Sequence, residues 1–230
     1  MQPDTLAMFD QHAATYDQTW QAMAPLREAM QLVLDNVFAT LPEAARVLCV
    51  GAGTGAEVLY LAERHPGWRF TAVEPSGPML EVFRRKAEVQ GIASRCEFHQ
   101  GYLDSLPAMA PFDAATSILV SQFVTDPVER RGFFRGIAER LRRGAPLASA
   151  DLACEMTSDE GRRLLDVWFE MMSVNPEARE RAKGIYGSQV AVVPPEAVSE
   201  LIREGGFDAP VRFFQSGLIH AWFARQALDR

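Results

Sequence analysis

Apolar and polar positions follow two different periods along this chain, and the points where one gives way to the other mark out its elements. Val47-Leu-Cys-Val50 is a short unbroken apolar run that stops at three alternate glycines, Gly51, Gly53 and Gly55. Beyond them the period turns helical, with Val58, Leu59, Leu61 and Ala62 on one face. That pattern predicts a buried parallel strand, a turn without side chains, and a helix whose amide end faces the turn. Further strands are predicted at 69–73, 95–99, 112–119 and 146–150, with a closing pair near 211–214 and 218–223. Helices are predicted at 79–90, with Ser76 as N-cap, at 128–141, and at 195–203 before Gly205-Gly206. Two helical stretches, around 6–21 and 26–38, come first and are separated at Ala24-Pro25. Between Asp151 and Pro194 the sheet pattern yields to one helix carrying Leu164, Leu165, Val167, Trp168, Phe169, Met171 and Met172. That segment is too long for a plain crossover, and in a sheet of this kind it lies over the carboxyl ends of the strands.

The second strand ends at Glu74, about two dozen residues past the glycines. A carboxylate there accepts hydrogen bonds from both hydroxyls of a ribose lying over the turn, so the pair is built for a nucleoside. Gly51-Ala-Gly-Thr-Gly-Ala56 also satisfies the loose dinucleotide pattern of an NAD enzyme. Against a dehydrogenase stand the roughly forty residues of helical pattern before the first strand and the turn Pro75-Ser-Gly-Pro-Met79-Leu80 after the acid. The order of the later elements also counts against it.

Taken together these features resemble the class I S-adenosylmethionine-dependent methyltransferases, from about Phe9 to the C-terminus. The glycine run matches the family's first motif and Glu74 its strand-end acid. Gly101-Tyr102-Leu103 stands where the adenine-contacting loop belongs, and Phe112-Asp113 opens the fourth strand. The stretch Phe9-Asp-Gln-His-Ala-Ala-Thr-Tyr16-Asp17 is similar to a helix that folds over the cofactor. The resemblance implies an α/β, Rossmann-like fold: a mainly parallel seven-stranded sheet, helices on both faces, and a C-terminal antiparallel strand. It implies one domain over residues 1–230, comprising a helical lid (1–40), a cofactor-binding core (45–152), a helical insertion (153–193) and a closing helix with strands (194–230). S-adenosylmethionine is the implied cofactor and S-adenosylhomocysteine the product. The residues implied to bind it are Gly51, Ala52, Gly53, Gly55, Glu74, Pro75, Met79, Tyr102, Leu103 and the Ile118 backbone, with Tyr16 and Arg27 closing from the N-terminal helices. Tyr102 is a departure, because the family commonly carries an acid there; adenine recognition then falls to the Leu103 amide and apolar walls such as Met79.

In-line methyl transfer from a sulfonium needs alignment and exclusion of water rather than a nucleophilic side chain. No catalytic residue is therefore singled out, and His12 and His220 are read as hydrogen-bonded structural residues. The fourth strand lacks the Asn/Asp-Pro-Pro-aromatic run of amino-group methyltransferases, which leaves a small or medium-sized acceptor of another kind. Two alternatives stay open. Ser121-Gln122-Phe123, the helix at 128–141 and Phe213-Phe214-Gln215 are similar to carboxy-S-adenosylmethionine synthase of transfer-RNA wobble-uridine modification; that match sets Lys183, with Arg181 nearby, where the synthase uses arginine. A cofactor-binding protein without transferase activity is the other.

Composition narrows the setting. The 230 residues, 48% of them apolar, suit one well-buried core. No stretch approaches the ~20 apolar residues of a membrane span, and the N-terminus lacks a signal pattern. Cys49, Cys96 and Cys154 read as reduced thiols of a cytoplasmic protein. The scatter of His12, His65, His99 and His220 offers no metal cluster. A net charge of −7 argues against a general nucleic-acid coat but leaves a structured RNA open. Arg84-Arg85-Lys86, Arg140 with Arg142-Arg143, and Arg179, Arg181 and Lys183 are read as solvated helix faces. Trp168, Phe169, Met171 and Met172 are read as burying their helix, Phe9 and Trp20 as core or lid packing, and a homodimer is left open.

Overall fold

Buried on both faces, the apolar runs assemble into the centre of one sheet. The computed structural model describes residues 3–227. Its strands are β1 (Arg46–Val50), β2 (Arg69–Glu74), β3 (Cys96–Gln100), β4 (Ala114–Ile118), β5 (Pro146–Leu152), β6 (Val211–Ser216) and β7 (Ile219–Arg225). They lie in the order β3-β2-β1-β4-β5-β7-β6. Every pairing among β1 to β5 is parallel, and β7 runs antiparallel between β5 and β6. The chain winds outward from β1 through β2 to β3, then returns to β4 on β1's other side. That reversal opens a crevice at the carboxyl ends of β1 and β4, where ligands bind in open sheets of this type.

Alternate residues of β1 feed two cores. Val47 and Cys49 pack with α3 (Ala24–Val37), α4 (Ala56–Arg64) and α5 (Gly77–Val89), through Leu34, Phe38, Val58, Leu61, Leu80 and Phe83. Leu48 and Val50 pack with α6 (Pro127–Ala138) and α9 (Pro195–Glu204), through Phe134, Ile137, Val198 and Ile202. A third cluster, including Trp168, Phe169 and Leu165, gathers over the ends of β5 and β7.

Several expectations need correction. The stretch read as one helix over 6–21 is two, α1 (Pro3–His12) and α2 (Tyr16–Thr19), with a turn at 13–15. There the Thr15 hydroxyl bonds back to the His12 carbonyl, 3.3 Å away, an alternative to the helical ladder that Thr readily takes. The insertion holds two helices, α7 (Asp159–Met171) and α8 (Pro176–Ile185). Asn175 caps the second by accepting from the Ala178 amide at 2.8 Å, with Pro176 in the first turn. The fourth strand is shorter than 112–119: Phe112 makes only an isolated bridge to Leu141, and the strand ends at Ile118, before Leu119 turns to φ 60° with its amide still donating to the Ala150 carbonyl.

Candidate active site

The glycine turn is shaped by what presses on it. A Cβ on Gly51 (φ +71°) would fall on the Val120 side chain, and one on Gly55 (φ +82°) on the Phe83 ring. Both positions therefore require glycine for left-handed backbone and for close approach. Val120 occupies the side of Gly51 on which a Cβ would stand. A Cβ on Gly53 meets only Met79 Cε, at 3.7 Å, and Gly53 faces the crevice. The turn is tied to β2 by the Gly51 and Ala52 amides, which donate to the Val73 carbonyl at 2.8 and 3.1 Å.

Glu74 is built into the same unit. Its Oε2 accepts from the Gly53 amide and its Oε1 from the Ser76 amide, both at 2.9 Å. Burial pushes its carboxyl up, and those two amide bonds oppose the shift. Each carboxylate oxygen has a second lone pair, so the group still has capacity for two hydroxyl donors.

Three cavities meet at Gly51. The first, about 140 Å³, lies among Ala52, Gly53, Glu57, Ile118, Tyr16 and Arg27. The second, about 360 Å³, is bounded by Glu74, Pro75, Met79, Ile118 and Leu119, with Phe9, His12, Tyr16, Trp20 and Met172 above. The third, about 730 Å³, runs past Pro75, Tyr102 and Leu103 toward Phe133 and Arg140. Of the residues implied to bind the cofactor, all but Gly55 line one or more of these spaces; Gly55 is the N-cap of α4. Tyr102 stands at the rim, 44% exposed. Phe9 and Trp20 pack as expected and also form cavity wall, within a row of rings from Phe123 through Phe9, Tyr16 and Trp20 to Trp168. Trp168 and Phe169 are buried, whereas Met172 reaches the second cavity.

Residues 47–144 match a family described as a methyltransferase domain. The chain is 28% identical over 206 residues to the erythromycin 3''-O-methyltransferase of Saccharopolyspora erythraea. That match covers 86% of this chain and 63% of the relative, so the chain spans under two thirds of that enzyme. The chain is thus similar in sequence and order of elements to the class I S-adenosylmethionine-dependent methyltransferases. The fold agrees. A solved O-methyltransferase family protein from Burkholderia thailandensis superposes with a TM-score of 0.67 at 16% identity, covering 90% of this chain and 58% of that one. A methyltransferase from Methanosarcina mazei gives 0.63 at 18% identity, covering 84% and 97%.

The site fits the family's methyl donor on its own geometry. Glu74's remaining lone pairs suit a ribose, Gly53 leaves room above them, and the cavities extend both ways from that point. Other residues were not visible as site residues in the sequence. Glu57, buried in the first turn of α4, lines the first cavity, and burial pushes its carboxyl up to about 7. Gln31, also buried, donates to the Ala56 carbonyl at 3.1 Å and ties that turn to α3. The basic clusters are only partly solvated faces. Arg140 clamps the loop after β3, donating to the Leu103 and Leu106 carbonyls at 2.8 and 2.9 Å. Arg142 pairs with Asp113 at 2.5 Å. Lys86 pairs with Asp17 and donates to the Thr54 carbonyl at 3.2 Å. Lys183 and Arg181 stand exposed on α8, Lys183 paired with Glu180, and neither lines a cavity described above. His220 is buried against Trp222 with Nδ1 3.1 Å from the Leu218 carbonyl; burial lowers its pKa. His12 lies 2.8 Å from the Met8 carbonyl through Nδ1. A carbonyl only accepts, so Nδ1 is the donor of this bond.

Proposed function

We propose that this protein transfers a methyl group from S-adenosylmethionine to a hydroxyl of a small or medium-sized molecule. The observation that carries the reading is the Glu74 carboxylate, held by the Gly53 and Ser76 amides directly beside the glycine turn. S-adenosylmethionine, when bound, supplies a methyl activated by its sulfonium. The chain's part is to hold the ribose with Glu74 and wall the adenine with Met79, Leu103 and Tyr102. Arg27 takes the carboxylate of the tail, a geometry suited to a guanidinium. Residues of α1 and α2 act as the lid, excluding water above Gly53 and Glu74. Hydroxyl acceptance follows from the relative named for O-methylation of erythromycin. The second cavity, bordered by Trp20, Leu152 and Met172, gives such an acceptor an apolar seat. Among the described residues no helix is long and apolar enough to cross a membrane. The free thiols of Cys49, Cys96 and Cys154 support a cytoplasmic location.

Calorimetric titration with S-adenosylhomocysteine is the test. Wild-type protein is expected to bind it. Glu74→Ala loses two charge-assisted bonds of roughly 1.5–3 kcal/mol each, and so at least tenfold in affinity. Wild-type protein that binds no S-adenosylhomocysteine, or a Glu74→Ala variant with unchanged affinity, overturns the reading. Incubation with S-adenosylmethionine and a panel of sugar alcohols, phenols and macrolides, read by mass spectrometry, then identifies the acceptor class.

A further inference from the structure

The donor-binding reading leaves one buried charge in the crevice without a task. Glu57 lies two residues beyond Gly55 and is 8% exposed. It shares the smallest cavity with Arg27 and Gln31 of α3 and with Tyr16 and Asp17 of α2. The titratable or charged groups facing it are Tyr16 and Asp17 on α2, Arg27 on α3, Cys49 on β1 and Glu74 at the end of β2. Two of the acids are already committed. Asp17 is bonded to Thr54 and Lys86, and Glu74 to the Gly53 and Ser76 amides. The Glu57 carboxyl is opposed only by its own backbone amide. No ion pair joins it to Arg27, although both border the same space. A carboxylate taken out of water without a paired cation is costly, and among the described residues none is ion-paired with it.

The cavity thus presents a carboxyl from α4 and a guanidinium from α3 across a small, largely apolar space. That is the complement of an amino-acid zwitterion. We propose that Glu57 binds the α-ammonium of the donor's methionine tail while Arg27 takes its α-carboxylate. The assignment rests on the S-adenosylmethionine reading above. An ammonium offers three donors and supplies the cation that the buried acid lacks. The electrostatics agree: with its carboxyl pushed up to about 7, Glu57 carries a proton in a sizeable fraction of empty molecules near neutrality. Seating an ammonium beside it favours the anion and expels that proton.

The experiment compares two nucleosides on wild-type protein and Glu57→Gln, which keeps the side chain's shape and removes its charge. S-adenosylhomocysteine carries both the ammonium and the carboxylate, and 5'-methylthioadenosine carries neither. Glu57→Gln is expected to weaken S-adenosylhomocysteine at least about tenfold and to leave 5'-methylthioadenosine within roughly twofold. Calorimetry at pH 7 in buffers of different ionisation enthalpy is expected to show release of roughly half a proton with wild-type protein and S-adenosylhomocysteine. The variant is expected to release none. An equal loss for both nucleosides makes Glu57 a purely structural residue and overturns the assignment. Unchanged affinity for both overturns it as well, by placing the ammonium elsewhere. Wild-type protein that binds neither nucleoside removes the donor reading itself, and the assignment with it.

Discussion

Glu57 and Glu74 are both buried acids within one crevice, and their surroundings set them apart. Glu74 receives two backbone amides that belong to the turn it serves, so ionisation is supported whether or not a ligand is present. Glu57 has only its own backbone amide, and its carboxyl rises to about 7. The linkage sign follows. Between the ordinary carboxylate range and pH 7 the folded chain holds a proton that the unfolded chain has lost, so stability falls as pH rises through that window. At 1.36 kcal/mol per unit of pKa, the loss at pH 8 comes to about 3 kcal/mol. Urea unfolding without nucleoside is therefore expected to find Glu57→Gln more stable than wild type at pH 8, by up to about that amount. Below pH 5 the two should converge; equal stability at both pH values would place the carboxyl in water. Glu74 was legible in the sequence because a strand-end acid after a glycine turn has few other uses. Glu57 was not: an acid in the first turn of a helix reads as a solvated complement to the dipole. It is the assembled fold that takes it out of solvent, with Gln31 of α3 bonded to the neighbouring Ala56 carbonyl and Tyr16 and Asp17 of α2 bordering the same space.

Among the elements, α1 and α2 are held differently from the rest. Thr5 is the one buried residue of α1 among those described, and α2 has none. Besides the ring contacts of Phe9 and Trp20, attachment comes from carboxylates. Asp10 accepts from the Ser76 hydroxyl and Asp17 from the Thr54 hydroxyl, each at 2.6 Å, and Lys86 pairs with Asp17. Ser76 and Thr54 flank the two loops that carry Glu74 and Gly53, so the latches close the crevice from both sides. Contacts of this partly exposed kind are worth only about 0–1 kcal/mol for an ion pair, which places these helices at the low end of local stability. Hydrogen exchange is expected to show amides of 3–20 exchanging well ahead of those in β1 and β4. Saturating S-adenosylhomocysteine should slow them, and Asp17→Asn should remove much of that slowing. Exchange of 3–20 as slow as the sheet would contradict a lid. The break at 13–15 escaped the sequence for the same reason: with little apolar face, the helical period there is weak, and polar tethers decide where the chain turns. The amphipathic α7 and α9 carry their periodicity through burial of Leu165, Trp168, Phe169, Val198 and Ile202, and both were legible.

For the whole molecule, the question is what fixes the far wall of the crevice to the sheet. Arg130 of α6 and Asp151 of β5 are both essentially excluded from solvent, with Nη2 and Oδ1 3.3 Å apart. Asp151 also accepts from the Ser121 hydroxyl and the Gln122 amide at 2.8 and 2.9 Å. Arg130 donates to Ser121 Oγ at 2.9 Å and, beyond it, to the Ala191 carbonyl at 3.0 Å. One ion pair thus ties α6, β5, the turn after β4 and the end of the helical insertion. Neither partner stood out in the sequence, where Arg130 reads as a helix-surface cation and Asp151 as the edge of the core. Their meeting depends on the β4-α6-β5 crossover, which only the assembled sheet displays. Breaking a buried pair leaves the other charge uncompensated, at a cost of about 3–5 kcal/mol. Arg130→Met and Asp151→Asn are therefore each expected to lower the unfolding free energy by roughly that much, measured by denaturant titration. The double variant Arg130→Met with Asp151→Leu should recover a large part of the loss, since no charge is then stranded. Donor affinity is a separate readout, because Glu74, Gly53 and Arg27 lie outside this network. S-adenosylhomocysteine binding should survive in each variant that folds, while acceptor turnover suffers through displacement of Gln122, which borders the second cavity. Loss of S-adenosylhomocysteine binding in a variant that still folds would show that the wall serves the donor side of the crevice instead.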